Sequence, residues 1–192
     1  MSRANPETDP LPTPEGRAIR PVFFYLIVVM VFVADQASKA WIQRSLVLEE
    51  SRQVIGNAFT LTLTHNTGGA WGIMPQDNSI FKIFAAVAIV ALVIAYHRMR
   101  QVDLLVGAAF ALALGGALGN LVDRMRYGYV VDFLYARIIH WPVFNIADSA
   151  ISVGIILLLA HFVVSMRGDM APAASPASPS LVGEDRGAQN SE

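Results

Sequence analysis

The sequence predicts a mainly α membrane protein: four transmembrane helices with a small β-sheet region on one side of the bilayer. The first observation is composition. The 192 residues are 54% hydrophobic and 15% charged, with a positive mean hydropathy, which points to a polytopic membrane protein and away from a soluble domain. The second is a set of four apolar runs, about Val22–Ile42, Ile80–Tyr96, Leu104–Val122 and Ile146–Met166. Crossing a bilayer takes roughly 17–25 residues of helix. The third is a period-two pattern between the first two runs, where Phe59, Leu61 and Leu63 alternate with Thr60, Thr62 and Thr64. Alternation of β-formers marks a strand.

Each helix carries its own signature. The first run is apolar up to Asp35, so its last turns hold Asp35, Gln36 and Lys39 near an interface. Asp35 and Lys39 are four apart, the spacing of an ion pair on one helix face. The second run is short and has Lys82 near its start, where a long side chain snorkels to the headgroups. The third is free of charge and carries Gly107, Ala111, Gly115 and Gly119 at intervals of four. Small residues at that spacing let helix backbones approach in lipid, and one more step reaches Asp123. The fourth follows Pro142 and Asn145. Asn145 is a good N-cap, making Asp148 the third helical residue, where free N–H groups and the helix dipole favour a carboxylate.

Between the strand and the second helix, Asn66-Thr67-Gly68-Gly69 reads as a turn. A small sheet is expected there, lying on the membrane surface. Residues 1–20 hold four prolines and three arginines but no apolar core followed by a small-residue cleavage site, so no secretory signal peptide is expected. Residues 168–192 are rich in Ala, Ser, Pro, Gly and acidic residues and are expected to form a disordered tail. Four spans place both termini on one side. The count of Lys and Arg between the two sides is even, but the connector His97–Asp103 packs Arg98 and Arg100 into a tight turn, which favours it as cytoplasmic. Trp41, Trp71 and Trp141 all fall on the opposite side, as an interfacial aromatic belt would place them.

Composition also excludes. A net charge of −1 gives no support for a nucleic-acid partner. The absence of cysteine rules out disulfides, thiolate zinc sites and a cysteine nucleophile. There is no HExxH and no GxSxG, and the four histidines have no ligand spacing, so neither metal nor cofactor is expected.

What remains is acidic. Asp123, Asp132 and Asp148 lie beside or within the membrane-spanning runs. A carboxylate at membrane depth costs about 2.5–3.5 kcal/mol on insertion scales, so such groups mark function. Asp132, in Val-Val-Asp-Phe-Leu after a break at Gly128, has apolar neighbours that disfavour its charge. Asp148 has the start of a helix to favour it. Two carboxyls pushed apart in proton affinity form an acid/base pair, Asp132 carrying the proton and Asp148 ionised. The competing roles are structural: a cap for Asp148, pairing with Arg124 or a helix end for Asp123, an ion pair for Asp35 and Lys39. A proton or ion relay in a small transporter, and a purely structural four-helix scaffold, stay open on these residues alone.

The run Asp35-Gln36-x-x-Lys39, then Asn66-Thr67-Gly68, GNLVDR, VVDF and FNIADS resembles the bacterial lipoprotein signal peptidases (signal peptidase II) over about Phe23–Met166. The resemblance implies an inner-membrane aspartic endopeptidase that removes the signal peptide from diacylglyceryl-modified prolipoproteins just before the lipidated cysteine. It implies Asp132 and Asp148 as the catalytic pair. Asn120, Asp123, Arg124 and Asn145 are expected to order the pair and contact substrate, and Asn66 to lie near the substrate. Asp35 and Lys39 are expected as structural polar residues. Family members often read Ala-Ala-Phe where Gly69-Ala70-Trp71 stands here. The implied partners are prolipoproteins, membrane lipid and globomycin-type peptide antibiotics. The implied layout is a cytoplasmic tail over 1–20, a peptidase domain over 21–167 with a periplasmic β-region at about 46–74, and a cytoplasmic tail over 168–192.

Overall fold

Four helices dominate the computed structural model: α1 Pro21–Ser45, α2 Asn78–Arg98, α3 Leu104–Arg126 and α4 Ile146–Asp169. Each contains a stretch long and apolar enough to cross a membrane, so the chain is a multi-pass membrane protein. The structure describes residues 20–56, 58–68, 78–99 and 102–169. The four expected apolar runs coincide with the four helices. Trp41 and Trp141 are exposed, as a belt requires. Trp71, Gly69 and the bulk of both expected tails lie outside the described residues.

The helix ends follow capping chemistry. Proline opens α1, where its missing N–H is not needed. At the start of α3, the Asp103 carboxylate accepts from the Leu105 N–H at 3.2 Å, and Arg124 and Arg126 lie in its last turn, facing the negative end of the dipole.

The central helix is α3. More than half of its span is buried, while α1, α2 and α4 leave most of theirs open. The exposed faces of those three are aliphatic: Val29, Met30 and Val33 on α1, Phe84 and Val87 on α2, Ile156 and Leu159 on α4. Such faces are stable where lipid replaces water. The small-residue stripe explains the packing on α3. A Cβ at Gly115 would sit 2.8 Å from the Val31 side chain of α1, and one at Gly119 would collide with the Asp35 carboxylate. Gly116 lies against the Ala147 carbonyl of α4. No larger side chain lets three helices converge this closely.

Two apolar clusters mark the ends of the bundle. At one end Phe24 of α1 stacks on Tyr96 of α2, ring centroids 3.6 Å apart, over Val102, Ala111 and Leu114. The hydroxyl of Tyr25 meets His97 Nε2 at 2.8 Å. At the other end Ile42 and Leu46 of α1 pack beneath Leu63, Val131 and Phe133.

Those last three residues belong to a three-stranded antiparallel sheet of β1 Ser51–Ile55, β2 Phe59–Asn66 and β3 Val130–Ala136, in that order. The alternating Phe-Thr-Leu-Thr run is β2, the central strand. β1 lies inside the expected β-region at about 46–74, though the sequence places no strand on those residues; β3 lies outside that region and was not expected. β1 is five residues long and exposed throughout, so it carries no burial pattern. β3 begins buried on both faces, which erases the alternation that would announce it. Pairing of Thr64 with Asp132 and of Asn66 with Val130 fixes the register at the end of β2. A bulge between Leu61 and Thr64 adjusts the twist there.

Candidate active site

One polar cluster occupies the meeting point of α1, α3, α4 and the start of β3. Its foundation is Lys39, 2% exposed. Its ammonium has three donors and finds three oxygens: Asp35 Oδ2 at 2.8 Å, Asp123 Oδ2 at 2.9 Å and Asn120 Oδ1 at 3.0 Å. The expected Asp35–Lys39 pair is present and is half of a larger network. Asp35 Oδ1 also accepts the Ala147 N–H at 3.0 Å, and Asp123 Oδ2 the Val131 N–H at 3.1 Å. One buried cation thereby fixes where α4 and β3 begin. A buried carboxylate is tolerable only when paired and hydrogen-bonded in this way.

Pairing of Asp123 with its neighbour Arg124 was an expectation that the structure corrects. Side chains at adjacent helix positions diverge by about 100°, and Asp123 turns toward α1 instead. There it meets Lys39 and the Gln36 amide, whose Nε2 lies 2.9 Å from Asp123 Oδ1 and 3.2 Å from the Gly119 carbonyl. Gln36 is the residue to which the sequence assigned no role. Its signal was a third polar group in the last turns of an otherwise apolar span. Arg124 is half-buried over the Phe81 ring, 5.3 Å from its centroid. Its Nε is buried with no hydrogen-bond partner among the described residues, and its charge lies within range of Asp148, Asp132 and Asp123.

Above this foundation stand the two remaining aspartates. Asn145 caps α4 as its sequence suggested: its Oδ1 accepts the Asp148 N–H at 2.9 Å. Asp148 returns the bond, its Oδ2 accepting the Asn145 N–H at 3.3 Å. This is a reciprocal capping box. The amide of Asn145 donates to Asp132 Oδ1 at 2.6 Å and to Asn120 Oδ1 at 3.1 Å. Asn120 Nδ2 in turn donates to Asp148 Oδ1 at 2.8 Å. Asn145 therefore bonds both carboxyls, and Asn120 links Asp148 to Lys39. From β2, Asn66 Nδ2 reaches Asp132 Oδ2 at 2.9 Å, while Asn66 Oδ1 accepts the Gly68 N–H at 3.2 Å. The latter is the expected turn, as far as the described residues carry it.

The two carboxyls differ in surroundings. Asp132 is 1% exposed. Burial, reinforced by the negative charge of Asp148, pushes its pKa up to about 7 against the opposing pull of Asn66, Asn145 and Lys39. Asp148 is half-buried and borders an apolar cleft of about 440 Å3, shared with Ser149, Ser152, Phe144, Ile139 and Trp141. A carboxyl that keeps its proton to neutral pH, joined through one amide to a second carboxyl that faces an opening, is an arrangement for general acid/base chemistry.

Residues 27–164 match the family described as Signal peptidase (SPase) II. Among similar proteins is the lipoprotein signal peptidase of Moorella thermoacetica, 44% identical over 70% of this chain and 89% of that protein. The lipoprotein signal peptidase of Pseudomonas aeruginosa is 42% identical over 69% of this chain and 82% of that one. A solved structure described as a bacterial membrane enzyme, determined by the in meso method at 2.3 Å, superposes with a TM-score of 0.76 at 31% identity, covering 83% of this chain and 99% of that one.

Proposed function

The chain belongs to the signal peptidase II family and is a membrane peptidase that cleaves signal peptides from prolipoproteins; we propose that it does so with Asp132 and Asp148 as an aspartic pair. The observation that carries this reading is Asn145, which hydrogen-bonds both carboxyls from one side chain and its own backbone N–H. Asp148 takes a proton from a water molecule as that water attacks the scissile carbonyl. Asp132 gives its proton to the carbonyl oxygen. The resulting gem-diol collapses as Asp148 returns its proton to the leaving amide nitrogen and Asp132 takes one back from a diol hydroxyl, which restores the pair. Asn120 and Asn145 hold the two carboxyls in register through both steps. The ion triad Asp35–Lys39–Asp123 keeps the starts of α4 and β3 in place beneath them.

The substrate is a prolipoprotein whose cysteine carries a diacylglyceryl group. A cleft that is apolar apart from Asp148 and two serine hydroxyls suits a chain whose lipid stays in hydrocarbon while one amide meets water. The Nε of Arg124, which has no partner among the described residues, is a donor for a substrate carbonyl, and Asn66 flanks Asp132 on the sheet side. Peptide antibiotics of the globomycin type block the pair by occupying the space between the carboxyls. The enzyme resides in the bacterial inner membrane with its site and β-region facing the periplasm and both termini cytoplasmic. The charged connector at 97–103 and the exposed tryptophans at the opposite end support that orientation.

Purified protein in detergent, given a diacylglyceryl-modified prolipoprotein peptide, tests the assignment. Asp132→Asn and Asp148→Asn each lower cleavage by more than about a hundredfold, the scale of a lost acid or base. Either variant retaining wild-type rates would overturn the pair.

A further inference from the structure

A second groove lies on the opposite flank of α4 from that cleft. It encloses about 470 Å3 and is lined by Ala91 and Ala95 of α2, Ala113 and Ala117 of α3, and Ile151 and Ile155 of α4, among others. It exists because α2 and α4 both pack on α3 and barely touch each other among the described residues. Its upper end is Ala117, three residues from Asn120, and Ile151, three from Asp148. At 1.5 Å per residue both lie about 4.5 Å along their helices from the site. At about 100° per residue, Ser149 and Ser152 fall on one side of Asp148, and Ile151 and Ile155 on the other. The cleft therefore touches Asp148 on one side of α4, and the second groove ends about 4.5 Å short of it on the other.

We propose that this groove seats the apolar segment of the signal peptide as a helix, while the cleft beside Ser149 and Ser152 takes the diacylglyceryl limb. This assignment rests on the cleavage reading above. The substrate has two apolar limbs, one on each side of the scissile bond, and they must leave the site in different directions. The α2–α3–α4 groove is lined by apolar side chains, so a polypeptide within it must satisfy its own N–H and C=O groups. In lipid only a helix does that. Alanines on α2 and α3 allow the backbone of such a helix close approach, and the missing α2–α4 contact leaves it a slot alongside α3. The other cleft offers what a glyceryl ester needs. It has the Ser152 hydroxyl as a donor beside Phe144 and Ile139, with exposed Trp141 at its edge.

Two substrates separate the possibilities: a diacylglyceryl-modified peptide with the full signal sequence, and one truncated just ahead of the scissile bond. Ala91 faces the open groove, and Ala91→Phe fills it. In this variant the kcat/KM advantage of the full-length substrate over the truncated one falls about tenfold. An unchanged ratio overturns the assignment. A wild-type enzyme that cleaves both equally well also overturns it but leaves the cleavage reading intact, whereas failure to cleave either defeats the cleavage reading itself. Because the chain has no cysteine, Ala91→Cys placed in the Asp148→Asn background supplies a single thiol. In proteoliposomes with added copper phenanthroline as the oxidant, it forms disulfides with prolipoproteins bearing a cysteine in the apolar segment, at positions three or four apart. Labelling of that thiol by a photoactivatable acyl chain of the diacylglyceryl group, or by bulk phospholipid only, overturns the assignment.

Discussion

At the scale of single residues, Asp132 governs the pH response. Its pKa stands near 7 in the folded protein, against an ordinary 3.8. In the proposed mechanism the protonated form is the proton donor, so kcat/KM is expected to fall as pH rises through about 7, and this limb is the measurement that checks the role. The sign for stability follows from the same shift. A raised carboxyl contributes stability below its unfolded value and loses it as pH climbs through the folded one. Asp132→Asn removes that loss. Its melting temperature in detergent therefore exceeds wild type at about pH 8, and the difference narrows as pH falls and closes only below about pH 4. A difference that persists at the lower pH would show that the substitution acts through packing instead.

At the scale of elements, the network is a joint. Lys39 binds α1 to α3 directly, and through Asp35 and Asp123 it reaches the Ala147 and Val131 N–H groups. Lys39→Met leaves two buried carboxylates without a countercharge and costs about 3–5 kcal/mol, read as a lowered midpoint of denaturation. The glycines of α3 are the second fastening. Gly119→Ala pushes a methyl into the Asp35 carboxylate and Gly116→Ala one into the Ala147 backbone. Each costs about 1–3 kcal/mol by overpacking, and both depress cleavage because the displaced groups support the site. Thermal melts and turnover of the two variants check this together. Much of this joint was legible in the linear chain. The interval of four between small residues pointed α3 at a neighbour, and Asn145 ahead of Asp148 announced a cap. What stayed hidden were relations across the fold. Asp123 and Lys39 lie 84 positions apart, and no local pattern pairs them. β3 concealed itself by being buried on both faces, so a run of hydrophobic residues concealed a strand that presents Asp132.

At the scale of the whole molecule, Asp35, Asp123, Asp132 and Asp148 gather at one place instead of lining a path. That favours a reaction centre over a relay, and family membership agrees. Position within the bundle matters as much as the chemistry, because the site sits beneath a sheet, toward one end of four spans. The proposed orientation is open to a direct test. Single cysteines introduced at exposed Ile55 and exposed Met99 should react with a membrane-impermeant maleimide from opposite faces of intact inner-membrane vesicles. The first is expected on the periplasmic side and the second on the cytoplasmic side, and labelling of both from one face would refute the layout.

The threefold grip of Lys39 also bears on how the enzyme is born. A ribosome delivers α1 long before α3, and Asp148 arrives last, in the fourth helix. Early in synthesis Lys39 has only Asp35 of its own helix for company, and no second carboxyl stands ready to split water. A nascent chain therefore passes its neighbours in the translocation channel unarmed, and its hydrolytic power appears at a single moment, when the final span comes home.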